Sequence, residues 1–137
     1  AIVTANGSVS GAEGGCQAEV GTASAMAAAG LCQMLYGSPE ACLNAAAIAL
    51  GNLLGLVCDP VQGLVEFPCQ NRNAIGVANA MTAAQLSLSG VVSPVPFDEA
   101  VAAMVMVGNS LPVSLRETAQ GGLAVCPSVC ADCGACD

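Results

Sequence analysis

Apolar and small residues recur along this chain at steps of three and four, the spacing of a helical face. Val20, Ala23, Ala27, Leu31 and Met34 follow that step and predict a helix from Gln17 to about Tyr36, with Gly37 placed as its stop. Ser38, Pro39 and Glu40 then read as N-cap, first helical position and first-turn acid of a second helix running to about Leu56. A third helix is expected from Gln70 to about Ser89, with Val77, Met81, Ala84 and Leu88 on one side and Gly90 ending it.

The segment VVSPVP reads as a connector, and Pro96 to Glu99 opens a fourth helix through about Gly108. A short helix near 113–119 follows the break at Leu111-Pro112. Between these elements, residues 1–15 are rich in Gly, Ser and Ala and read as an irregular loop. CDPVQGLVEFPC, with two prolines and a glycine, reads as another. The fold class expected is all-α: one Ala/Gly-rich helical domain over 1–125 with cysteine-bearing loops at helix ends, then a cysteine-rich tail over 126–137.

Composition sharpens that picture. A chain of 137 residues makes a single domain. With 55% apolar but only 2% aromatic residues, its core must be Ala, Val, Leu and Met in closely spaced helices, with Gly at the tightest contacts. The formal charge of -8 rests on ten acids against Arg72 and Arg116, which excludes nucleic acid as a partner because two cations cannot neutralise a phosphate backbone. The absence of His removes the usual general base and the usual zinc nitrogen ligand.

Residues 73–97 carry no charge, but Gly90, Pro94 and Pro96 interrupt them, so no membrane span is expected. The N-terminus has neither a basic region nor an apolar core of a signal peptide. Nine cysteines, an odd number, argue against a closed disulfide framework and for a reduced, cytoplasmic compartment in which clustered thiols are metal ligands.

Cys16, Cys58 and Cys69 each fall where a loop meets a predicted helix. Cys16 and Cys69 directly precede helix starts, whose exposed amides favour a thiolate. Their separations of 42 and 11 residues match no simple zinc pattern, and spacing alone leaves ligand and inert-thiol readings open. Cys32 and Cys42 lie inside predicted helices and read as buried, unreactive thiols.

NGSVSGAEGGCQAEVG, SAMAAAGL, LGLVCDPVQGLVEFPCQNRNAIG and RETAQGGLA together resemble the C-terminal half of the iron-sulfur L-serine dehydratase alpha chain, over about residues 6–125. The resemblance implies a lyase that deaminates L-serine to pyruvate and ammonia. It implies a [4Fe-4S] cluster held by Cys16, Cys58 and Cys69, whose fourth iron stays open as a Lewis acid for the substrate hydroxyl.

The resemblance also brings Arg72 forward as a carboxylate-binding residue, the alternative being an ion pair with Asp59 or Glu66. Asn6, Ser8 and Ser10 are candidate substrate or cluster contacts, or simply turn residues. Glu13, Glu19 and Glu117 are expected to make structural hydrogen bonds, and Arg116 to pair with Glu117. The family's further half and its beta chain or domain are expected partners in an oligomer, and the residue removing the α-proton is unassigned.

In the tail, Cys126, Cys130, Cys133 and Cys136 could hold a separate metal or form a redox tail, or Cys136 could fold back onto the open iron. A cysteine-degrading iron-sulfur lyase and a non-catalytic metal-binding fragment are the alternative functions.

Overall fold

The computed structural model describes residues 1–130, so Cys133 and Cys136 lie outside the described residues. Two short helices open the chain, α1 (Ile2–Asn6) and α2 (Gly11–Gly14). A π-helical turn, Gln17–Gly21, leads without interruption into α3 (Thr22–Met34). There follow α4 (Pro39–Gly51), a 3-10 turn at Val61–Gly63, α5 (Cys69–Leu88) and α6 (Phe97–Ser110). Two more 3-10 turns, Val113–Leu115 and Gly122–Val125, precede α7 (Pro127–Cys130). No strand is present among the described residues, and the all-α expectation holds.

Helices α3, α4 and α5 pack against one another as the central trio, with α6 lying on α4 and α2. Their contact faces are made of the smallest side chains. Ala25, Ala28 and Cys32 of α3 meet Ala45, Ala46, Ala49 and Leu50 of α4 and Ala80, Ala83 and Ala84 of α5, all of them buried. Small side chains let helix backbones approach closely, so dispersion contacts are made by the backbone itself. At Gly108 a side chain would meet the Gly14 backbone at 3.0 Å, which is why α6 can lie against α2.

The apolar stripes visible in the sequence are real helical faces, but the buried faces lie elsewhere. Ala23 and Ala27 of α3 are exposed, and Met34 is 76% exposed. On α5, Val77 and Met81 face solvent, while Ala84 of the same stripe is buried beside Gly76, Ala80 and Ser87.

Apart from the Thr22 hydroxyl, the polar residues buried inside the trio are paired, as a low-dielectric interior demands. Asn79 of α5 donates to Ala49 O at 2.8 Å and to Ser24 Oγ at 2.9 Å, and Ser24 donates to Gly76 O at 2.8 Å. Asn44 and Ser87 form a second such link, Asn44 donating to Ser87 Oγ at 2.8 Å and Ser87 to Ala41 O at 2.8 Å.

Several boundaries differ from expectation for identifiable reasons. Residues 1–15 are largely helical: Val3 is buried, Gly7 N–H donates to Val3 O at 2.7 Å, and Gly14 N–H donates to Ser10 O at 2.9 Å. Helix α3 ends with Tyr36 in the left-handed region, φ 62°, not with Gly37 there. Helix α4 begins as read, with Ser38 Oγ accepting from Ala41 N–H at 3.2 Å, but stops at Gly51. Gly55 then adopts φ 85°, and its N–H goes to the Gln17 side chain. The helix expected at 113–119 is one 3-10 turn, because Glu117 and Ala119 take positive φ. Among the described residues, no helix is long and apolar enough to cross a membrane, and the described cysteines whose side chains are defined are free thiols.

Candidate cysteine centre

Cys16, Cys58 and Cys69 come from three separate parts of the chain into one neighbourhood. Cys16 is buried where α2 hands over to the π-helical turn. Cys58 is buried in the segment after α4, and its backbone pairs in parallel with the strip around Arg116: Cys58 N–H donates to Leu115 O at 2.9 Å and Glu117 N–H to Cys58 O at 2.8 Å. Cys69 is the first residue of α5, partly buried.

The three thiols feel one another. Burial pushes the Cys58 thiol far above an ordinary cysteine, and hydrogen bonding to Cys16 with the charges of Cys16, Glu117 and Cys69 pushes the same way. Cys69 is also raised, by burial first and then by Cys16 and Glu19, with Arg72 opposing. Cys58 and Cys69 are therefore costly to ionise unless a cation enters among them, and a metal centre would supply that charge.

The surroundings fit a soft, sulfur-ligated centre. Gly11, at the start of α2, leaves room: a side chain there would lie 3.1 Å from Cys58 Sγ and 3.4 Å from Glu19 Oε2. Among the described residues no three Cys, His, Asp or Glu groups are gathered for a single ion. In a cluster each thiolate takes its own iron, so the sulfurs need to surround the core, not share one atom.

Arg72, one turn into α5, sits against this group. Its Nη1 donates to Asp59 Oδ1 at 2.6 Å and to Val57 O at 2.9 Å, and lies 3.9 Å from Cys16 Sγ. The pairing with Asp59 is therefore present, while Nε and Nη2 make no hydrogen bond among the described residues. Asp59 is itself buried, and its second oxygen accepts from Leu123 N–H at 2.7 Å. Gly122 must be glycine here, because it has φ 62° and any Cβ would overlap Asp59 Oδ2. One carboxylate thus ties Arg72 to the 122–125 turn.

Gln17 holds Cys16 in place. It is fully buried, donates through Nε2 to Gly14 O at 2.9 Å and Met104 O at 3.0 Å, and accepts from Gly55 N–H at 2.9 Å. Its backbone N–H adds a bond to Leu56 O at 2.9 Å. The π-helical turn that it opens is a widened turn of the kind that recurs at functional sites.

The remaining sequence candidates are placed less centrally. Asn6 is exposed and donates to Ile2 O of its own helix at 2.9 Å. Ser8 accepts from Ser10 N–H at 3.0 Å and lines a cavity of about 380 Å³ with Glu13, Asn109 and Arg116. Ser10 stands directly before Gly11 as the N-cap of α2. The structural bonds expected of Glu13, Glu19 and Glu117 side chains are absent among the described residues. Arg116 does not pair with Glu117: among the described residues the ion pair is Arg72–Asp59, and Arg116 Nη1 reaches Glu13 O at 3.5 Å. Glu117 has a left-handed backbone, φ 65°.

Sequence reasoning missed Gln17 and Gly11 and valued Asp59 only as a possible partner of Arg72. A polar residue directly after Cys16 inside an otherwise apolar helix was the available signal for Gln17.

A family model described as the serine dehydratase alpha chain matches residues 1–124. The chain is 59% identical over 123 residues to an L-serine dehydratase alpha chain of Peptoniphilus asaccharolyticus, covering 90% of this chain and 42% of that one. It is 57% identical over 127 residues to a probable L-serine dehydratase alpha chain of Bacillus subtilis, covering 93% and 42%. A probable L-serine dehydratase alpha chain of Latilactobacillus sakei is 52% identical over 127 residues, covering 93% and 61%. The chain thus spans between two-fifths and about three-fifths of the length of these curated relatives. Matched by that model over nearly all its length, the chain belongs to the serine dehydratase alpha chain family.

Proposed function

We propose that this chain forms the cysteine-bearing part of an L-serine dehydratase, a lyase converting L-serine to pyruvate and ammonia. In this reading Cys16, Cys58 and Cys69 hold a [4Fe-4S] cluster. The observation that carries it is the meeting of three thiols from distant segments beside an anchored arginine. When bound, such a cluster supplies a Lewis-acidic iron toward the departing hydroxyl.

The chain's own residues do the positioning. Asp59 and Val57 O hold one side of the Arg72 guanidinium, leaving its Nε and Nη2 edge to take the substrate carboxylate bidentately. Gln17 fixes the turn carrying Cys16, and Gly11 keeps the space over Cys58 open. Ser10, directly before Gly11 in the chain, is the candidate hydroxyl for that space. With no His or Lys in this chain, the α-proton acceptor is an acid of this chain, a solvent or alkoxide group, or a residue of the companion part.

Iron and sulfide counted on anaerobically reconstituted protein test the reading. About four irons are expected per chain, lost in Cys58→Ser, with pyruvate formed from L-serine only once the companion part is added. Iron that survives Cys58→Ser unchanged overturns the assignment.

A further inference from the structure

The second pair of thiols, on the far end of the α3–α4 hairpin, was read from sequence as inert. Both lie near Gly37. Its N–H donates to Cys32 O at 2.9 Å, and a Cβ on it would fall on Cys32 Sγ, so the Cys32 sulfur lies directly against the Gly37 backbone. Cys42 Sγ lies 3.9 Å from Gly37 O and 3.8 Å from Gln33 Oε1. Gly37 therefore borders both sulfurs. The two cysteines differ in access: Cys32 is fully buried in the alanine core, whereas Cys42 is half-buried at the start of α4.

We propose that Cys32 and Cys42 form a dithiol oxidation site that reacts with low-molecular-mass disulfides and closes into a bond joining α3 to α4. The accessible thiol reacts first. The Cys42 thiolate attacks one sulfur of the small disulfide, forming a mixed disulfide and releasing one small thiolate. Cys32 then gives up its proton and attacks the Cys42 sulfur, expelling the second small thiolate. Two protein thiols are oxidised and one small disulfide is reduced to two thiols.

The order follows from the surroundings of Cys32. Burial raises its thiol above the ordinary value, and the hydrogen bond to Cys42 and the Cys42 charge add to this. A buried thiol of that kind is a poor attacker of an external disulfide. It is well placed to resolve one formed beside it. Neither residue belongs to the Cys16, Cys58 and Cys69 group, so the inference stands independently of the proposed lyase chemistry.

The reduced 137-residue chain, treated with oxidised glutathione, provides the test. Glu40 lies between the two cysteines, so cleavage after it under non-reducing conditions separates Cys32 from Cys42 unless a disulfide joins them. The fragments are expected to stay linked, about 2 Da lighter than their sum, and to separate on reduction. Cys32→Ala suits its alanine-lined site and is expected to trap a lasting glutathione adduct on Cys42. Cys42→Ser is expected to slow modification at Cys32 at least tenfold. Linkage of Cys32 to some other cysteine, or adduct formation at Cys32 in Cys42→Ser as fast as at Cys42 in Cys32→Ala, overturns the proposal. So does failure of the fragments to link.

Discussion

Asp59 places one oxygen 2.6 Å from Arg72 Nη1 and the other 2.7 Å from Leu123 N–H, joining the start of α5 to the 122–125 turn through a single buried carboxylate. The ion pair keeps the guanidinium charged and raises the Arg72 pKa against the opposing effect of burial. Its weight comes from what removal leaves behind: a largely buried cation and an unpaired amide.

Asp59→Ala is therefore expected to cost on the order of 3 kcal/mol of stability, read as a lower midpoint in chemical denaturation. Asp59→Asn keeps the shape and both acceptor directions in part, and should cost less. Gly122→Ala meets the same carboxylate from the other side and should destabilise by more than about 1 kcal/mol.

Gln17→Leu conserves volume but removes the bonds to Gly14 O and Met104 O and leaves the N–H of Gly55 without its partner. A loss of roughly 2–4 kcal/mol is expected, since each buried orphan costs about 1–3 kcal/mol. Hydrogen exchange at the Gly55 amide should quicken in the variant.

Thr22 carries the opposite case. Its hydroxyl is buried without a partner at the junction of the π-helical turn and α3. Thr22→Val replaces that hydroxyl with a methyl of similar size, so stability should be unchanged or raised by up to about 1 kcal/mol. A clear fall in the thermal midpoint would count against the buried site being dry.

Glu40 provides a pH signature for the N-terminus of α4. Its own backbone N–H and then the Ser38 side chain hold the carboxyl below the ordinary 4.5, with slight desolvation opposing them. A carboxylate depressed in the folded state contributes stability above its unfolded pKa and loses it as pH falls through the folded value. The contribution should therefore be complete above about pH 4.5 and vanish below it. Ser38→Ala should move the Glu40 midpoint, followed by NMR, back toward the ordinary value.

Leu50 is the largest fully buried side chain, at the end of α4 beneath Gly21. In a core made mostly of alanine, few neighbours can shift to refill its space. Leu50→Ala is expected to cost about 3–5 kcal/mol, measured by denaturant unfolding with unchanged m-value.

The sequence by itself determined what local chemistry controls. Ser38-Pro39-Glu40 specify a helix start by capping, fixed φ and charge, and that start appears where read. Cys16 and Cys69 stand at helix starts because Gly15 and Pro68 interrupt the chain before them. The small-residue composition required closely packed helices, and the family motifs marked the three thiols and Arg72.

Only the tertiary structure decided which face of each helix is buried. In α3 and α5 the hydrophobic stripe and the core face diverge, because packing against alanine rewards the smallest surface rather than the most apolar one. The same holds at the centre: that Asp59 locks Arg72 to Leu123, and that Gln17 is held by Met104 and Gly55, depend on segments far apart in the chain. Their meeting is a property of packed backbones, which no local pattern of residues records.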